Sequence, residues 1–234
     1  MPAPDAAFYF DLVSPEAYLA AERILHVLGA PAEWQPVLAR ELPGAESFEA
    51  SRSERVAQSA AGRLAETGMR AEGECLPASV GPLFFDQKEE EIFRGEIERR
   101  AHAQDLQPLK WPSPFPFDSA LAMRIATYAK SIGRTVPFAQ AAFRQAFAGG
   151  RNLAEMDNVL IAAAACEMHP AAVSNAAELR SVAEQLATTT ALAAQAGVTG
   201  VPAVRIGERV WTGERAVEDA AAHMHTDRVG GALP

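Results

Sequence analysis

Cysteine is scarce in this sequence, and the placement of its two cysteines excludes most thiol chemistry by the protein itself. Cys75 and Cys166 lie far apart among 234 residues, and no Cys-x-x-Cys pair occurs. The sequence therefore predicts neither a redox dithiol nor a thiolate zinc site. His169, His223 and His225 lack further ligands at suitable spacing, so we expect no bound metal.

Basic residues and long apolar runs are also in short supply. The chain has 30 acidic and 21 basic residues, and its formal net charge of -9 disfavours nucleic acid and anionic membranes as partners. No stretch approaches the roughly 18 apolar residues that span a bilayer. The first residues, MPAPDAAFYFDLV, carry no basic segment before their short apolar run. We expect a cytoplasmic protein whose 49% apolar composition suffices for a buried core.

Both ends of the chain have the strand and helix patterns of an α/β protein. Residues 6–13 are mainly apolar and predict a buried strand, and residues 15–28 carry an apolar stripe at helical spacing that ends at Gly29. Further predicted elements are a strand over 32–39, a hairpin of strands 202–207 and 209–212 with Gly207-Glu208 at its turn, and a closing helix over 214–224. The element order is βαβ followed, much later, by ββα.

The long segment between these ends is predicted to be mainly helical. Four prolines in LKWPSPFPFDS, residues 109–119, predict an extended stretch within it. Predicted helices lie near 53–66 and 87–103, from Leu121 to Ile132, from Phe138 to Phe147, and around 157–168 and 176–196. The predicted division is an α/β domain of residues 1–40 and 198–226, a helical insertion subdomain of residues 41–197 whose part 41–104 is strongly charged, and a tail of residues 227–234.

Ser14 lies where the first predicted strand gives way to a helix. One interpretation is purely structural, because serine followed by proline is typical of a helix N-cap. The other is functional, because a helix N-terminus favours an anion. A charge-assisted hydrogen bond from the hydroxyl, about 1.5 to 3 kcal/mol, would lower the pKa of a bound thiol from about 8.5 towards neutrality. Ser14 is therefore a candidate for activating a thiol that the protein itself does not carry.

Four motifs in this order resemble the glutathione-dependent branch of the DsbA-like thioredoxin family. This branch includes 2-hydroxychromene-2-carboxylate isomerase and the kappa-class glutathione transferases. The motifs are FYFDLVSPEAYLA from Phe8, WPSPFPFDS from Trp111, GVTGVPAV from Gly197 and VWTGERA from Val210. The resemblance implies a thioredoxin-like fold with an inserted helical subdomain and a site at the start of the first helix.

The resemblance assigns a role to residues on two sides of that site. Ser14 matches the serine whose hydroxyl faces the glutathione sulfur. Val201 matches the residue whose backbone pairs with the cysteinyl part of the tripeptide, and Pro202 matches a cis-proline. The implied cosubstrate is glutathione or another low-molecular-weight thiol.

Further matches concern the ends of the tripeptide. Gly213 and Glu214 match the pair that meets the γ-glutamyl end, with Glu214 replacing the usual aspartate by a side chain one methylene longer. Arg215 matches the arginine that follows this pair, and Asp118 stands where relatives often have asparagine. In relatives the helix before the proline-rich segment contributes basic or amide groups to glutathione binding. The candidates for this role here are Arg94, Arg99 and Lys110.

The resemblance leaves three functions open. The first is an isomerase of the hydroxychromene carboxylate type, in which a thiolate adds reversibly to an aromatic catabolite. The second is kappa-like transfer of glutathione to an electrophile, and the third is a non-catalytic scaffold that binds a thiol or a partner. Disulfide exchange is disfavoured because the chain has no Cys-x-x-Cys pair. Relatives are commonly homodimers, so a homodimer is also considered.

Overall fold

One mixed four-stranded sheet joins the two ends of the chain. The computed structural model describes residues 6–44 and 87–230, so the predicted helix near 53–66 and Cys75 lie outside the described residues. The strands are β1 (Ala6–Phe10), β2 (Ala32–Pro36), β3 (Ala203–Ile206) and β4 (Arg209–Thr212). Their order across the sheet is β2-β1-β3-β4, with β1 parallel to β2 and antiparallel to β3.

The central strand β1 is buried along its whole length, as its apolar composition predicts. Phe8 pairs with Trp34 of β2 on one side and with Val204 of β3 on the other. The rings of Phe8 and Trp34 meet edge to face, with centroids 5.0 Å apart, and Phe10 packs against the same indole at 5.7 Å. This aromatic cluster fixes the register of the strand whose end leads into Ser14.

Eight helices lie within the described ranges. They are α1 (Pro15–Leu28), α2 (Gln87–Ala103), α3 (Ala120–Ser131), α4 (Thr135–Phe147), α5 (Met156–Ala164), α6 (Pro170–Glu178), α7 (Arg180–Gln195) and α8 (Ala216–Gly230), with a short 3₁₀ turn at Ala39–Glu41. Helix α1 begins and ends where the sequence predicts, with Ser14 at its N-cap and Gly29 in the left-handed conformation after it. None of the described helices combines the length and apolarity needed to cross a bilayer.

The two faces of the sheet are covered by different helices. Phe8 and Phe10 belong to the main core, which includes buried residues of α1, α3, α4 and α8. Tyr9 points the other way, into a smaller cluster that includes Ala193 of α7 and Val198 after it. Helix α1 packs against α8, α4 and α2. The helices between β2 and β3 thus help to cover both faces of the sheet, and two of them, α2 and α4, pack against α1.

The helical segment differs from the sequence prediction in one place. Two helices are predicted, around 157–168 and 176–196, whereas the structure has three, because Pro170–Glu178 forms the additional helix α6 between α5 and α7. Pro170 occupies the first turn of α6, and Leu179 has extended backbone angles (φ -69°, ψ 120°) that separate α6 from α7. An apolar stripe survives across such a one-residue break, so side-chain periodicity did not reveal it.

Candidate functional site

Ser14 caps helix α1 and uses its hydroxyl in two hydrogen bonds. Oγ accepts from the amide of Ala17 at 3.1 Å and donates to Oε2 of Glu16 at 3.2 Å. The residue is only 8% exposed. A hydroxyl has one proton and two lone pairs, so one lone pair of Oγ is left for a ligand. The cap predicted from the Ser-Pro dipeptide is present, while the role of Ser14 towards a thiol stays a prediction.

Asp11 stabilises the turn that positions Ser14 at the start of α1. Its carboxylate accepts from the amides of Val13 at 3.2 Å and Ala39 at 2.9 Å, and its main-chain carbonyl accepts from the amide of Ser14 at 3.1 Å. The side chain of Ser119 is a further hydrogen-bond partner. Burial is the main influence on this carboxyl and raises its pKa, although these hydrogen bonds act in the opposite direction. Asp11 thus joins the ends of β1, β2 and α3 directly behind the site.

The proline predicted to face Ser14 forms one wall of a cleft. The bond between Val201 and Pro202 is cis, and the carbonyl of Pro202 accepts from the amide of Gly213 at 2.8 Å. Gly213 has φ 95°, a conformation that side-chain-bearing residues rarely adopt. Neither the amide nor the carbonyl of Val201 bonds to another described residue. This backbone edge therefore offers one donor and one acceptor to an extended ligand.

The cleft brings together four of the seven site residues that the sequence predicts. Its volume is about 210 Å³. The predicted residues that line it are Val201, Pro202, Gly213 and Glu214, and Ser14 is connected to it through Glu16. The remaining lining residues are Glu16, Phe93, Glu96, Ile97 and Arg100. The cleft thus extends from the start of α1, past the cis-proline, to one face of α2.

Glu16 is the carboxyl that lies between Ser14 and the cleft. Burial is the largest influence on this half-buried side chain and raises its pKa above the usual value. Hydrogen bonds from its own amide and from Ser14, together with the charge of Arg100, act in the opposite direction, and the charge of Glu214 adds to the increase. A buried carboxyl of this kind holds its proton to a higher pH than an exposed glutamate does, and such groups are common at functional sites.

Arg100 supplies positive charge to the cleft. Its Nε lies 3.0 Å from Oε1 of Glu214, and the side chains of the two residues are 17% and 55% exposed. The Nη2 atom of Arg100 is buried and has no hydrogen-bond partner among the described residues. A buried guanidinium donor without a partner is costly in the free protein and is suited to a ligand carboxylate.

The three cations proposed from the sequence lie elsewhere. Arg94 stacks on the ring of Trp111, with its guanidinium carbon 4.9 Å from the centroid, and pairs with Glu90. Arg99 and Lys110 are exposed, and neither lines the cleft. Within the described ranges, Arg100 is the cation of α2 that faces the cis-proline loop.

Two further predicted residues do not line the cleft. Asp118 is exposed, forms an ion pair with Arg40 at 2.8 Å, and accepts from the amide of Ala120 at 3.0 Å. That backbone hydrogen bond is the main reason that the pKa of Asp118 is lowered. Arg215 lies just before α8, is 79% exposed and pairs with Asp219 of that helix at 3.5 Å. The structure gives both side chains local partners, and their roles towards a ligand stay predictions.

Comparison with known proteins identifies the family of the chain. The family profile of the DsbA-like thioredoxin domain matches residues 66–225. The chain belongs to this family. A search of curated proteins found no match.

Two solved structures illustrate the range of DsbA-like proteins with a similar fold. A 2-hydroxychromene-2-carboxylate isomerase has a TM-score of 0.70 and 16% identity, and the alignment covers 98% of each chain. The cytosolic disulfide reductase DsbM from Pseudomonas aeruginosa, solved with GSH, has a TM-score of 0.53 and 16% identity over 96% of this chain and 98% of its own. The thioredoxin-like fold and the DsbA-like family predicted from the sequence are both confirmed.

Two charged residues that line the cleft of this DsbA-like chain, Glu16 and Arg100, were not among the predicted site residues. Glu16 was hidden by its ordinary role, since an acidic residue in the first turn is typical of any helix. For Arg100 a signal was available, because Phe93, Glu96, Ile97 and Arg100 follow helical spacing and share one face of α2. No cluster of metal-ligating side chains occurs within the ranges that the structure describes.

Proposed function

We propose that this protein is a glutathione-dependent isomerase of the 2-hydroxychromene-2-carboxylate isomerase type. It binds a low-molecular-weight thiol in the cleft between Ser14, the cis-proline loop and α2. The thiolate adds reversibly to a conjugated, ring-opened aromatic compound, a bond rotates in the adduct, and the thiolate leaves again. The observation that carries the proposal is the cleft itself, in which a serine-capped helix and an unpaired backbone edge at Val201 face the same space.

The polar groups of the cleft suit the γ-glutamyl end of glutathione, which carries an ammonium and a carboxylate on one carbon. The Nη2 atom of Arg100 is a free donor for the carboxylate. Glu214 and Glu96 line the same space and can accept from the ammonium. Opposite charges presented side by side favour a zwitterionic group over a simple anion. The longer side chain of Glu214, compared with aspartate, is held in place by its ion pair with Arg100.

Two features support a bound thiol that is not oxidised by the protein. Ser14 stands at the helix N-terminus, so the protein contributes a hydroxyl there and no sulfur that could form a mixed disulfide. Cys166, the cysteine within the described ranges, is buried, and burial raises the pKa of its thiol. The DsbM structure with GSH supports glutathione as the first thiol to test.

The test combines binding with turnover. Purified protein is titrated with glutathione, and thiolate absorbance near 240 nm reports ionisation of the bound thiol. Turnover of 2-hydroxychromene-2-carboxylate is followed by absorbance with and without glutathione. We expect thiolate formation and glutathione-dependent isomerisation, both lost in Ser14→Ala. Binding of glutathione without thiolate or turnover would instead support the scaffold function, and accumulation of a stable adduct would support the transferase.

A further inference from the structure

A carboxylate already occupies the place that the start of α1 offers to an anion. Glu16 accepts from the hydroxyl of Ser14 at 3.2 Å and from its own amide. Pro15 has no amide proton, and the amide of Ala17 donates to Oγ of Ser14. The donors of the first helical turn are therefore engaged with Glu16 or with Ser14. A thiolate that binds here meets the carboxylate of Glu16 as its immediate neighbour.

Two negative charges in this place would oppose each other. Like charges a few ångströms apart raise each other's pKa, so one of the two groups keeps its proton. The charged residues that face Glu16 are Glu96 and Arg100 from α2 and Glu214 from the loop before α8. The positive charge of Arg100 is shared, because Arg100 is paired with Glu214 and does not serve Glu16 exclusively. Glu16 and a bound thiol therefore share one negative charge. It lies on the carboxylate of Glu16 before the thiol binds and on the sulfur afterwards.

We propose that Glu16 holds a proton while the thiolate is bound and is the general acid and base of the reaction. The inference rests on the proposed function and adds a catalytic residue to it. Ser14 then orients both groups, because its proton reaches Glu16 in the free protein and turns to the sulfur once Glu16 is protonated. Burial, which raises the pKa of Glu16, favours the protonated state that this role requires.

The proton balance closes over one cycle. On binding, the S–H bond breaks and its proton moves to the carboxylate of Glu16. The thiolate then forms a C–S bond to the β-carbon of the conjugated carbonyl compound, the C=C electrons shift towards oxygen, and Glu16 protonates that oxygen to give an enol. The former C=C bond is single in this adduct, and the molecule rotates about it. Glu16 then removes the same proton from oxygen, the C=C bond re-forms, and the thiolate leaves. No oxidant, reductant or metal is required.

The experiment separates thiolate formation from turnover in three variants. Glu16→Gln keeps the shape of the side chain but cannot exchange a proton, and Glu16→Asp keeps a carboxyl. The control, Asp157→Asn, removes an exposed first-turn carboxylate of α5 that does not line the cleft. Glutathione is the thiol. The reactions are isomerisation of 2-hydroxychromene-2-carboxylate and addition to trans-4-phenylbut-3-en-2-one, measured from pH 6 to pH 9. Thiolate absorbance is recorded for each variant at the same pH values, and circular dichroism checks folding.

In Glu16→Gln the thiol proton is lost to solvent, so we expect this variant to keep the bound thiolate and its KM for glutathione while kcat falls by about 10² to 10⁴. Glu16→Asp should recover part of kcat, and Asp157→Asn should keep all of it. The wild-type kcat should decline at high pH, where Glu16 loses its proton, and the residual activity of Glu16→Gln should lack that decline.

Unchanged kcat in Glu16→Gln with the thiolate present would overturn the inference and leave the proposed function intact. Loss of the thiolate in Glu16→Gln would also overturn it, because Glu16 would then promote ionisation only. A wild-type protein that forms no thiolate, or turns over neither compound, would contradict the proposed function and this inference with it.

Discussion

The hydroxyl of Ser14 donates to the carboxylate of Glu16 across 3.2 Å, two residues further into the same helix. The proton expected to point at a bound sulfur is therefore committed to a carboxylate in the free protein. The remaining lone pair of Oγ can accept from an incoming S–H group, since Ala17 occupies the other. The Oγ atom of Ser14 thus first accepts a hydrogen bond from the thiol. It donates a hydrogen bond to the sulfur after the thiol proton has moved to Glu16.

Ser14→Gly separates the structural role of this residue from its chemical one. Replacement by alanine removes the cap to Ala17 and should lower the free energy of unfolding by about 1 kcal/mol, whereas glycine, a tolerated N-cap, should cost a few tenths. Both variants lack the hydroxyl and should lose thiolate absorbance from bound glutathione. Urea unfolding and the 240 nm titration measure the two effects. If Ser14→Gly kept the thiolate, the helix N-terminus alone would be sufficient for activation.

Glu16→Gln should stabilise the protein in a pH-dependent way. Because burial raises the pKa of Glu16 in the folded state, the folded protein binds this proton more tightly than the unfolded chain. The wild type therefore loses stability as the pH rises from the ordinary value of the carboxyl towards its raised value, and glutamine has no such loss. Urea unfolding at pH 5 and pH 7.5 should show a larger advantage of Glu16→Gln at pH 7.5. An advantage that is equal at both values, or larger at pH 5, would contradict the raised pKa.

Sequence patterns predicted the elements that run through the core. Strand β1 and helix α1 could be placed because their buried residues follow strand and helix periods, with Pro15 and Gly29 marking the ends of the helix. The break at Leu179 could not be placed in this way, because one extended residue scarcely disturbs an apolar stripe. Local signals therefore define elements well when a cap or a proline marks the boundary.

Sequence motifs predicted the site residues that have a local signal, but not those that only tertiary packing brings to the cleft. The motifs around Ser14 and Pro202 carry their own signals, a helix cap and a proline before a strand. Arg100 has no such motif, and its importance comes from the docking of α2 beside Gly213 and Glu214. Helical spacing with Phe93 and Ile97 separates Arg100 from its neighbouring arginines, but only tertiary packing shows that this face of α2 lies beside the cis-proline loop.

Arg100→Gln should weaken glutathione binding with little effect on folding. Loss of a charge-assisted hydrogen bond, about 1.5 to 3 kcal/mol, corresponds to a roughly 10- to 100-fold increase in Kd. The ion pair with half-exposed Glu214 should contribute less than about 1 kcal/mol to stability. Arg99→Gln is the matched control, because Arg99 is exposed and, among the described residues, donates only to the carbonyl of Gly95 in its own helix. Calorimetric titration with glutathione measures both variants, and equal Kd values would remove Arg100 from the binding site.

Asp11→Asn tests whether the turn behind the site depends on both oxygens of one buried carboxylate. Oδ1 accepts from Val13 and Oδ2 from Ala39, and asparagine has a single oxygen, so one buried amide is left facing an NH₂ group. We expect a loss of about 1 to 3 kcal/mol in urea unfolding. The control, Asp118→Asn, removes an exposed charge paired with Arg40 and should change stability by about 0 to 1 kcal/mol.

The pH dependence of the same variant has a defined sign. Because burial raises the pKa of Asp11 in the folded state, the wild type gains stability from this group as the pH falls from the raised value towards 3.8, and asparagine does not. The deficit of Asp11→Asn should therefore be larger at pH 4.5 than at pH 7.5. A deficit that shrinks at the lower pH would mean that Asp11 is stabilised as a charged group, and that the hydrogen bonds from Val13 and Ala39 outweigh its burial.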